Sequence, residues 1–316
     1  MMQTRELGRS GLKAVPLAFG GNVFGWTADE ARSFELLDAF VDSGCNLIDT
    51  ADKYSSWVPG NRGGESETII GRWLKRSGKR NHVLIASKAG MDLGGDRVGL
   101  SRRHLMRSID ESLARLGTDC IDLYQAHIDD PKTPIEETLG AYADLIRAGK
   151  IRAIGASNYT AERLELALQT ADRLDLPRFQ TLQPEYNLVT RQPFEAQLQA
   201  LCVREQVSVI PYYALASGFL TGKYRSADDA TGHARGGRVA TYFNERGIRI
   251  LAALGQVAGQ HKTTQTAVAL AWLRDRSSVA APIASATSRA QLADLVASLH
   301  LTLDDSSRVQ LDEASA

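Results

Sequence analysis

Cysteine is scarce: Cys45, Cys120 and Cys202 are the only three in 316 residues. They are far apart, odd in number, and each lies in or beside an apolar segment. That excludes a disulfide framework and leads us to expect buried, reduced thiols in a cytoplasmic protein. No group of Cys or His has the spacing of a zinc site, so no metal is expected. No apolar run approaches the ~20 residues of a membrane span. The N-terminal Met1-Met2-Gln3-Thr4-Arg5-Glu6 lacks the apolar stretch of a signal peptide. Excess charge is also missing, with 37 Lys and Arg against 37 Asp and Glu. A nucleic-acid binder needs a basic surplus to neutralise phosphates, so nucleic acid is not an expected partner. What remains, 43% hydrophobic and 23% charged residues, is ordinary for a globular protein.

The pattern of apolar segments is regular. Residues 1–16 read as a hairpin around Ser10-Gly11, forming an N-terminal cap. Short apolar strands are expected at 17–19, 45–48, 83–87, 119–125, 150–154, 178–182, 207–211 and 279–283. Helices are expected between them, at about 29–43, 65–76, 101–116, 134–148, 160–173 and 193–205. Further helices are expected at about 244–259, 264–275 and 288–298. The strands do not alternate polar with apolar, as befits a parallel sheet buried on both faces. An open doubly wound sheet and a closed (β/α)8 barrel both fit this alternation. Eight strands and the chain length favour the barrel. No G-x-G-x-x-G follows the first strand, which argues against the doubly wound alternative. No change of composition marks a linker, so residues 1–316 read as one domain.

Catalytic groups of such barrels gather at the C-terminal ends of the strands. Reading those ends in order gives Asp49 with Tyr54, then Lys88, then His127. Ser157-Asn158, Gln183, Tyr212-Tyr213, and Ser285 with Thr287 follow. Alone, each has a bland explanation: a cap, a rim aromatic, a solvated lysine, a hydrogen-bonded histidine. An acid, a phenol, an amine and an imidazole at one mouth are better explained as a site. A phenol ordinarily ionises near a pKa of about 10. A nearby ammonium favours phenolate, so Lys88, held charged by Asp49, is expected to lower the Tyr54 pKa. His127 can donate to a carbonyl oxygen. Such a set can protonate an oxygen becoming an alkoxide, or run in reverse. It contains no hydride source, so a cofactor is implied.

These residues stand in longer motifs. They are Gly44-Cys45-Asn46-Leu47-Ile48-Asp49-Thr50-Ala51-Asp52-Lys53-Tyr54, Ser87-Lys88, Tyr124-Gln125-Ala126-His127, and Lys150-Ile151-Arg152-Ala153-Ile154-Gly155-Ala156-Ser157-Asn158. Two more follow: Gln183-Pro184-Glu185-Tyr186-Asn187 and Gly218-Phe219-Leu220-Thr221-Gly222-Lys223-Tyr224. In these motifs and their order the chain resembles the aldo-keto reductases over nearly its whole length, and most of all the bacterial, general-stress-protein-like branch. The resemblance implies a barrel that uses NADPH to reduce aldehydes or ketones, a small-molecule carbonyl or alcohol substrate, and helix faces that allow a homo-oligomer. Tyr54 would be the general acid, tuned by Lys88 and Asp49, with His127 orienting the carbonyl. Ser157, Asn158 and Gln183 would hold the nicotinamide carboxamide, and Tyr212 would stack on the ring. Lys223, with backbone amides around Leu215 and Gly218, would hold the pyrophosphate. Ser285, Thr287, Arg289 and Gln291 would hold the adenosine phosphate.

The chain departs from the family pattern twice. Gln291 aligns where many relatives place a phosphate-gripping Arg, with Arg289 as a substitute, so NADH is an alternative to NADPH. Tyr213-Ala214 stands where relatives often have Ser-Pro. Phe24, Trp26 and Trp57 are read as an apolar substrate wall, and 60–64 as a mobile loop beside it. Residues 225–242 are read as a flexible lid, and the tail after Leu303 as too short to form a wall. Three other readings stay open: a non-catalytic nicotinamide-binding subunit, an NAD-dependent alcohol or sugar dehydrogenase, and a metal-dependent barrel enzyme using Asp49 and His127.

Overall fold

The computed structural model describes residues 2–316. A hairpin of β1 (Arg5–Glu6) and β2 (Lys13–Ala14) precedes eight parallel strands. These are β3 (Ala18–Gly20), β4 (Leu47–Asp49), β5 (Leu84–Ala89), β6 (Ile121–Ala126), β7 (Ile151–Ser157), β8 (Thr181–Gln183), β9 (Ser208–Val209) and β10 (Ile283–Ala284). Each pairs with its sequence neighbour, and β10 pairs with β3. The last gap is closed by the approach to β10. Val209 donates to Ser278 O (2.8 Å), Ala280 to Val209 O (2.8 Å) and Ile283 to Pro211 O (2.9 Å). The expected (β/α)8 barrel with its hairpin cap is therefore present.

Helices α1 (Glu30–Asp42), α2 (Glu65–Ser77), α3 (Arg102–Leu116), α4 (Ile135–Arg147) and α5 (Ala161–Leu174) lie between consecutive strands. Side-chain caps define several of their starts: Asp29 accepts from Arg32 N, Ser101 from His104 N and Thr160 from Arg163 N. The helix expected at 193–205 is broken into α6 (Gln192–Glu195) and α7 (Leu198–Glu205). After β9 come α8 (Gly236–Ala240), α9 (Glu245–Gln260) and α10 (Gln265–Arg274), then α11 (Arg289–Ala297) beyond β10. The acidic tail forms α12 (Asp305–Ala314), which was not expected from the sequence. It packs on α9, and its Asp312 accepts from Trp272 Nε1 at 2.9 Å.

Two buried layers result. Between strands and helices lies a large apolar shell that includes Phe19, Ile48, Ile85, Tyr124 and Ile154. Inside the ring, Ala18, Leu47, Ala86, Leu123 and Ala153 meet Leu7, Leu12 and Ala14 of the hairpin region. The hairpin therefore plugs the bottom of the barrel. Side chains two positions apart on a strand share a face. The interior residues immediately above this apolar floor are therefore Gly20, Asp49, Lys88, Gln125 and Gly155. The polar layer is the next rung of the same strands.

Candidate active site

Four of the sequence-predicted groups lie within strands rather than beyond them, Ser157 and Gln183 ending β7 and β8 and the other two lying in β4 and β5. Asp49 is the last residue of β4, and Lys88 lies inside β5. Both are fully buried, at 1% and 0% exposure. Lys88 Nζ reaches both carboxylate oxygens of Asp49, at 2.8 and 2.9 Å, and Thr50 O at 2.6 Å. It also donates to Tyr54 Oη at 3.1 Å, and Tyr54 donates to Asp49 Oδ2 at 3.1 Å. The ammonium spends its hydrogens on a fixed frame, so the phenol is held in one place. His127, just past β6, stands edge-on to the Tyr54 ring with centroids 5.9 Å apart. Asp49, Tyr54, Lys88 and His127 thus meet at the top of the barrel.

The electrostatics differ from the expected lowering of the phenol pKa. Burial pushes the Tyr54 pKa well above its ordinary value, and the charge and hydrogen bond of Asp49 add to this. Desolvation of a phenolate outweighs the cation beside it because Lys88 is neutralised by Asp49. Tyr54 is therefore a stable phenol, a proton holder. Burial also drives the Lys88 pKa down, with Asp49 opposing. Burial first, then Lys88 and Lys53, hold the His127 pKa well below its usual value, so its imidazole is neutral. Its Nδ1 is buried without a partner.

A chain of hydrogen bonds continues around the mouth. Gln183 Nε2 donates to Asp49 Oδ1 at 3.0 Å. Ser157 Oγ donates to Gln183 O at 2.9 Å and accepts from Asn158 Nδ2 at 3.0 Å. Asn158 also donates to His127 O at 2.9 Å, and its Oδ1 accepts from Tyr212 Oη at 2.8 Å. Gly155 makes room for this layer: a Cβ there would stand 2.2 Å from Thr181 Oγ1.

Above these groups opens a cavity of approximately 930 Å³. Asp49, Tyr54, His127, Ser157, Asn158, Gln183 and Tyr212 line it, as do Leu215, Gly218, Lys223, Ser285, Thr287 and Gln291. Two expectations fail here. Phe24 is fully buried and stacks on Phe19 at 5.4 Å, so it belongs to the core and not to a substrate wall. Its apolar neighbours in sequence gave no sign of which aromatic turns inward. Arg289 is exposed at the start of α11 and does not line the cavity. Gln291 lines it but folds back, its Oε1 accepting from Thr287 N (2.8 Å) and Thr287 Oγ1 (3.1 Å). The lining residue nearby with charge is Asp294, whose carboxyl burial makes harder to ionise.

Trp26 and Trp57 do form a wall. They meet edge to face at 5.5 Å, and Trp57 meets Tyr54 at 6.2 Å. The 60–64 loop beside them is tied down, not loose. Asn61 Nδ2 donates to Ser55 O (3.0 Å) and Gly25 O (3.2 Å), while Glu65 accepts from Arg62 N and Gly63 N. The region expected to be a flexible lid holds a 3-10 turn at Asp228–Ala230 and then α8. Arg238 pins it, pairing with Glu185 (2.5 Å) and lying 4.2 Å from the Tyr213 ring centroid.

Sequence reasoning missed several residues. Arg235 and His233 line the cavity. The Arg235-Gly236-Gly237-Arg238 run was a visible signal, but its direction depends on long-range contacts. Asp52 was quoted only as part of a motif, yet it is buried beside β5, its N–H donating to Lys88 O at 3.1 Å and its Oδ1 unpartnered. Burial, and then Glu67, push its carboxyl up to about 7.

With this geometry in hand, comparison with known proteins is informative. The Aldo/keto reductase family model matches residues 16–316, and the chain belongs to that family of oxidoreductases. It is 34% identical to Protein tas of Escherichia coli K12, covering 96% of this chain and 95% of that protein. It is 31% identical to the L-glyceraldehyde 3-phosphate reductase of Escherichia coli O157:H7, over 99% and 92% of the two chains. A probable voltage-gated potassium channel subunit beta of Arabidopsis thaliana is 32% identical over 92% and 89%.

Proposed function

We propose that the protein interconverts carbonyls and alcohols by hydride transfer with a nicotinamide dinucleotide, using Tyr54 as the general acid. The observation that carries this reading is the Asp49–Lys88–Tyr54 frame, which presents one half-buried phenol to a cavity also reached by a neutral His127. The cavity's own residues fit such a cofactor. Ser217 Oγ is buried without a partner in the cavity wall, and Lys223, also in the wall, makes no ion pair among the described residues. A diphosphate would satisfy both. The amides of Asn158 and Gln183 suit a carboxamide.

When bound, the reduced nicotinamide supplies hydride to the carbonyl carbon. The carbonyl electron pair then moves to oxygen, and the Tyr54 proton neutralises it. His127 donates a hydrogen bond to the same oxygen from the cavity side and fixes its position. Lys88 steadies the phenolate left on Tyr54, and its own charge is balanced by Asp49. The aromatic pair Trp26 and Trp57 excludes water from the mouth. The raised pKa keeps Tyr54 protonated near neutral pH, which is the form that carbonyl reduction requires, whereas alcohol oxidation requires the phenolate.

NADP(H) is the coenzyme the family resemblance implies. A second reading, NAD(H), draws support from the β10–α11 end of the cavity, where Arg289 faces outward and Asp294 faces in. A carboxylate there repels a 2′-phosphate. We therefore expect NADH to bind within about tenfold of NADPH, a difference of about 1.4 kcal/mol or less. Parallel titrations that read quenching of tryptophan emission test this. Binding of neither nucleotide would remove the oxidoreductase reading, and a preference for NADPH above a hundredfold would remove the NADH one. The channel-subunit likeness raises a non-catalytic role, against which the complete set of Tyr54, Lys88, Asp49 and His127 argues.

A further inference from the structure

The cavity holds a cation that the proposed reaction does not use. Three basic side chains line it: Lys53, Lys223 and Arg235. Lys53 is committed to Asp92 O. Lys223 stands beside Gly218, whose added Cβ would lie 3.6 Å from Lys223 Nζ, next to the unpartnered Ser217. That is the phosphate corner. Arg235 lies elsewhere in the wall. Its guanidinium is 5.3 Å from the Trp26 ring centroid, Trp26 touches Trp57, and Trp57 touches Tyr54. The cation therefore shares one aromatic cluster with the phenol, on the side where a substrate must enter.

Arg235 is half-buried and has no carboxylate within ion-pair distance among the described residues. Its side chain makes no hydrogen bond there either. An unpaired, partly desolvated guanidinium is costly unless a ligand completes it. Three features keep it aimed inward. It occupies the N-cap position of α8 without spending its side chain on a capping bond. The next turn is clamped by Arg238, which donates to Glu185 at 2.5 and 2.6 Å and to Tyr242 Oη at 2.8 Å. Gly236 lets the segment fold tightly, because a Cβ would lie 1.8 Å from Ala230 O. The nearby phenol of Tyr54, its pKa raised by burial, cannot neutralise it at neutral pH.

We propose that Arg235 receives an anionic group of the substrate, so that preferred substrates are carbonyl compounds carrying a carboxylate or phosphate ester a few carbons from the reacting carbon. A planar guanidinium meets either group with paired hydrogen bonds, and the Trp26 ring 5.3 Å away favours a cation at that place. This rests on the carbonyl-reduction reading above.

The test compares 4-carboxybenzaldehyde with benzaldehyde, and glyceraldehyde 3-phosphate with glyceraldehyde, in the wild type and in Arg235→Gln. The anionic member of at least one pair should be favoured by about tenfold or more in kcat/KM, the size of one charge-assisted hydrogen bond. That ratio should collapse in the variant, mainly through KM. The carboxylate and phosphate arms show which anion is taken. An unchanged ratio would overturn the proposal. So would an equal fall on charged and neutral substrates together with weaker NADPH binding, since Arg235 would then serve the cofactor. A second readout needs no turnover: benzoate added to the protein should change tryptophan emission through Trp26, benzamide should not, and Arg235→Gln should weaken the benzoate response at least about tenfold. If no carbonyl is reduced, this titration still decides the matter, and its failure would sink the anion site on its own.

Discussion

The proton on Tyr54 is held by burial and by Asp49, and the same frame that holds it also positions it. Tyr54→Phe removes the proton and one hydrogen bond but leaves the ring and the cavity. Turnover should fall by about 10²–10⁴, the usual contribution of a positioned acid, while the coenzyme dissociation constant stays nearly unchanged. Because the phenol pKa is raised well above its ordinary value, the rate of carbonyl reduction should show no loss from Tyr54 ionisation on the alkaline side of neutrality. A falling limb between pH 7 and about 10 that disappears in a Tyr54 variant would contradict this, since it would locate an ordinary or lowered phenol pKa. Lys88 is a different case. Lys88→Met leaves Asp49 buried without its cation, which should cost about 3–5 kcal/mol of stability in chemical denaturation. Adding Asp49→Asn should recover part of that loss. These four residues were legible from the sequence because Asp49, Lys88 and His127 each follow an apolar segment and Tyr54 lies in the loop just after Asp49. The sign of the Tyr54 shift was not legible, because it depends on how completely Lys88 is spent on Asp49 and how dry the phenol is.

At the scale of elements, the period of two along the strands explains the site. Leu47 and Ala86 floor the barrel, and Asp49 and Lys88 sit one rung higher on the same strands. Strand ends read from apolar runs fell two residues short in β5 and three short in β7 because polar residues there point inward and stay buried. The loop after β4 brings Asp52 beside β5, where its N–H donates to Lys88 O at 3.1 Å. Its folded carboxyl titrates near 7 against an unfolded value of 3.8, so between those pH values the folded state holds a proton that the unfolded state has lost. Stability should therefore decline as pH rises from about 4 to 7, by up to about 1.4 kcal/mol per pH unit from this group. Asp52→Asn should flatten that slope, and an unchanged slope would show that Asp52 is not its source. In the segment before α9, Gly236→Ala should displace the Arg238 clamp and speed tryptic cleavage between residues 225 and 242. The wild-type segment should resist cleavage. Its order was invisible in the sequence because Glu185 lies far from Arg238 along the chain.

Across the whole molecule, the alternation of short apolar strands with amphipathic helices was enough to expect a closed barrel. Closure itself depends on the irregular 278–283 stretch, which bonds to Val209 and Pro211 without a long strand. The C-terminal helix escaped notice because its apolar face is sparse and its partner, Trp272, is distant in sequence. The aromatic wall was half legible: Trp26 and Trp57 line the mouth, while Phe24 turns into the core. Arg235 reaches the cavity through the fold of the segment after β9, which no local pattern specifies.

The central claim is that one barrel mouth binds a nicotinamide nucleotide and reduces a carbonyl through Tyr54. The most direct measurement follows oxidation of reduced nicotinamide by its absorbance, with NADPH and NADH, over a panel of neutral and anionic aldehydes, in wild type and Tyr54→Phe side by side. The account predicts aldehyde-dependent oxidation in the wild type and loss of it in the variant, with nucleotide still bound by both. Tight binding with no turnover of any aldehyde, or turnover that survives the loss of the Tyr54 hydroxyl, would contradict it.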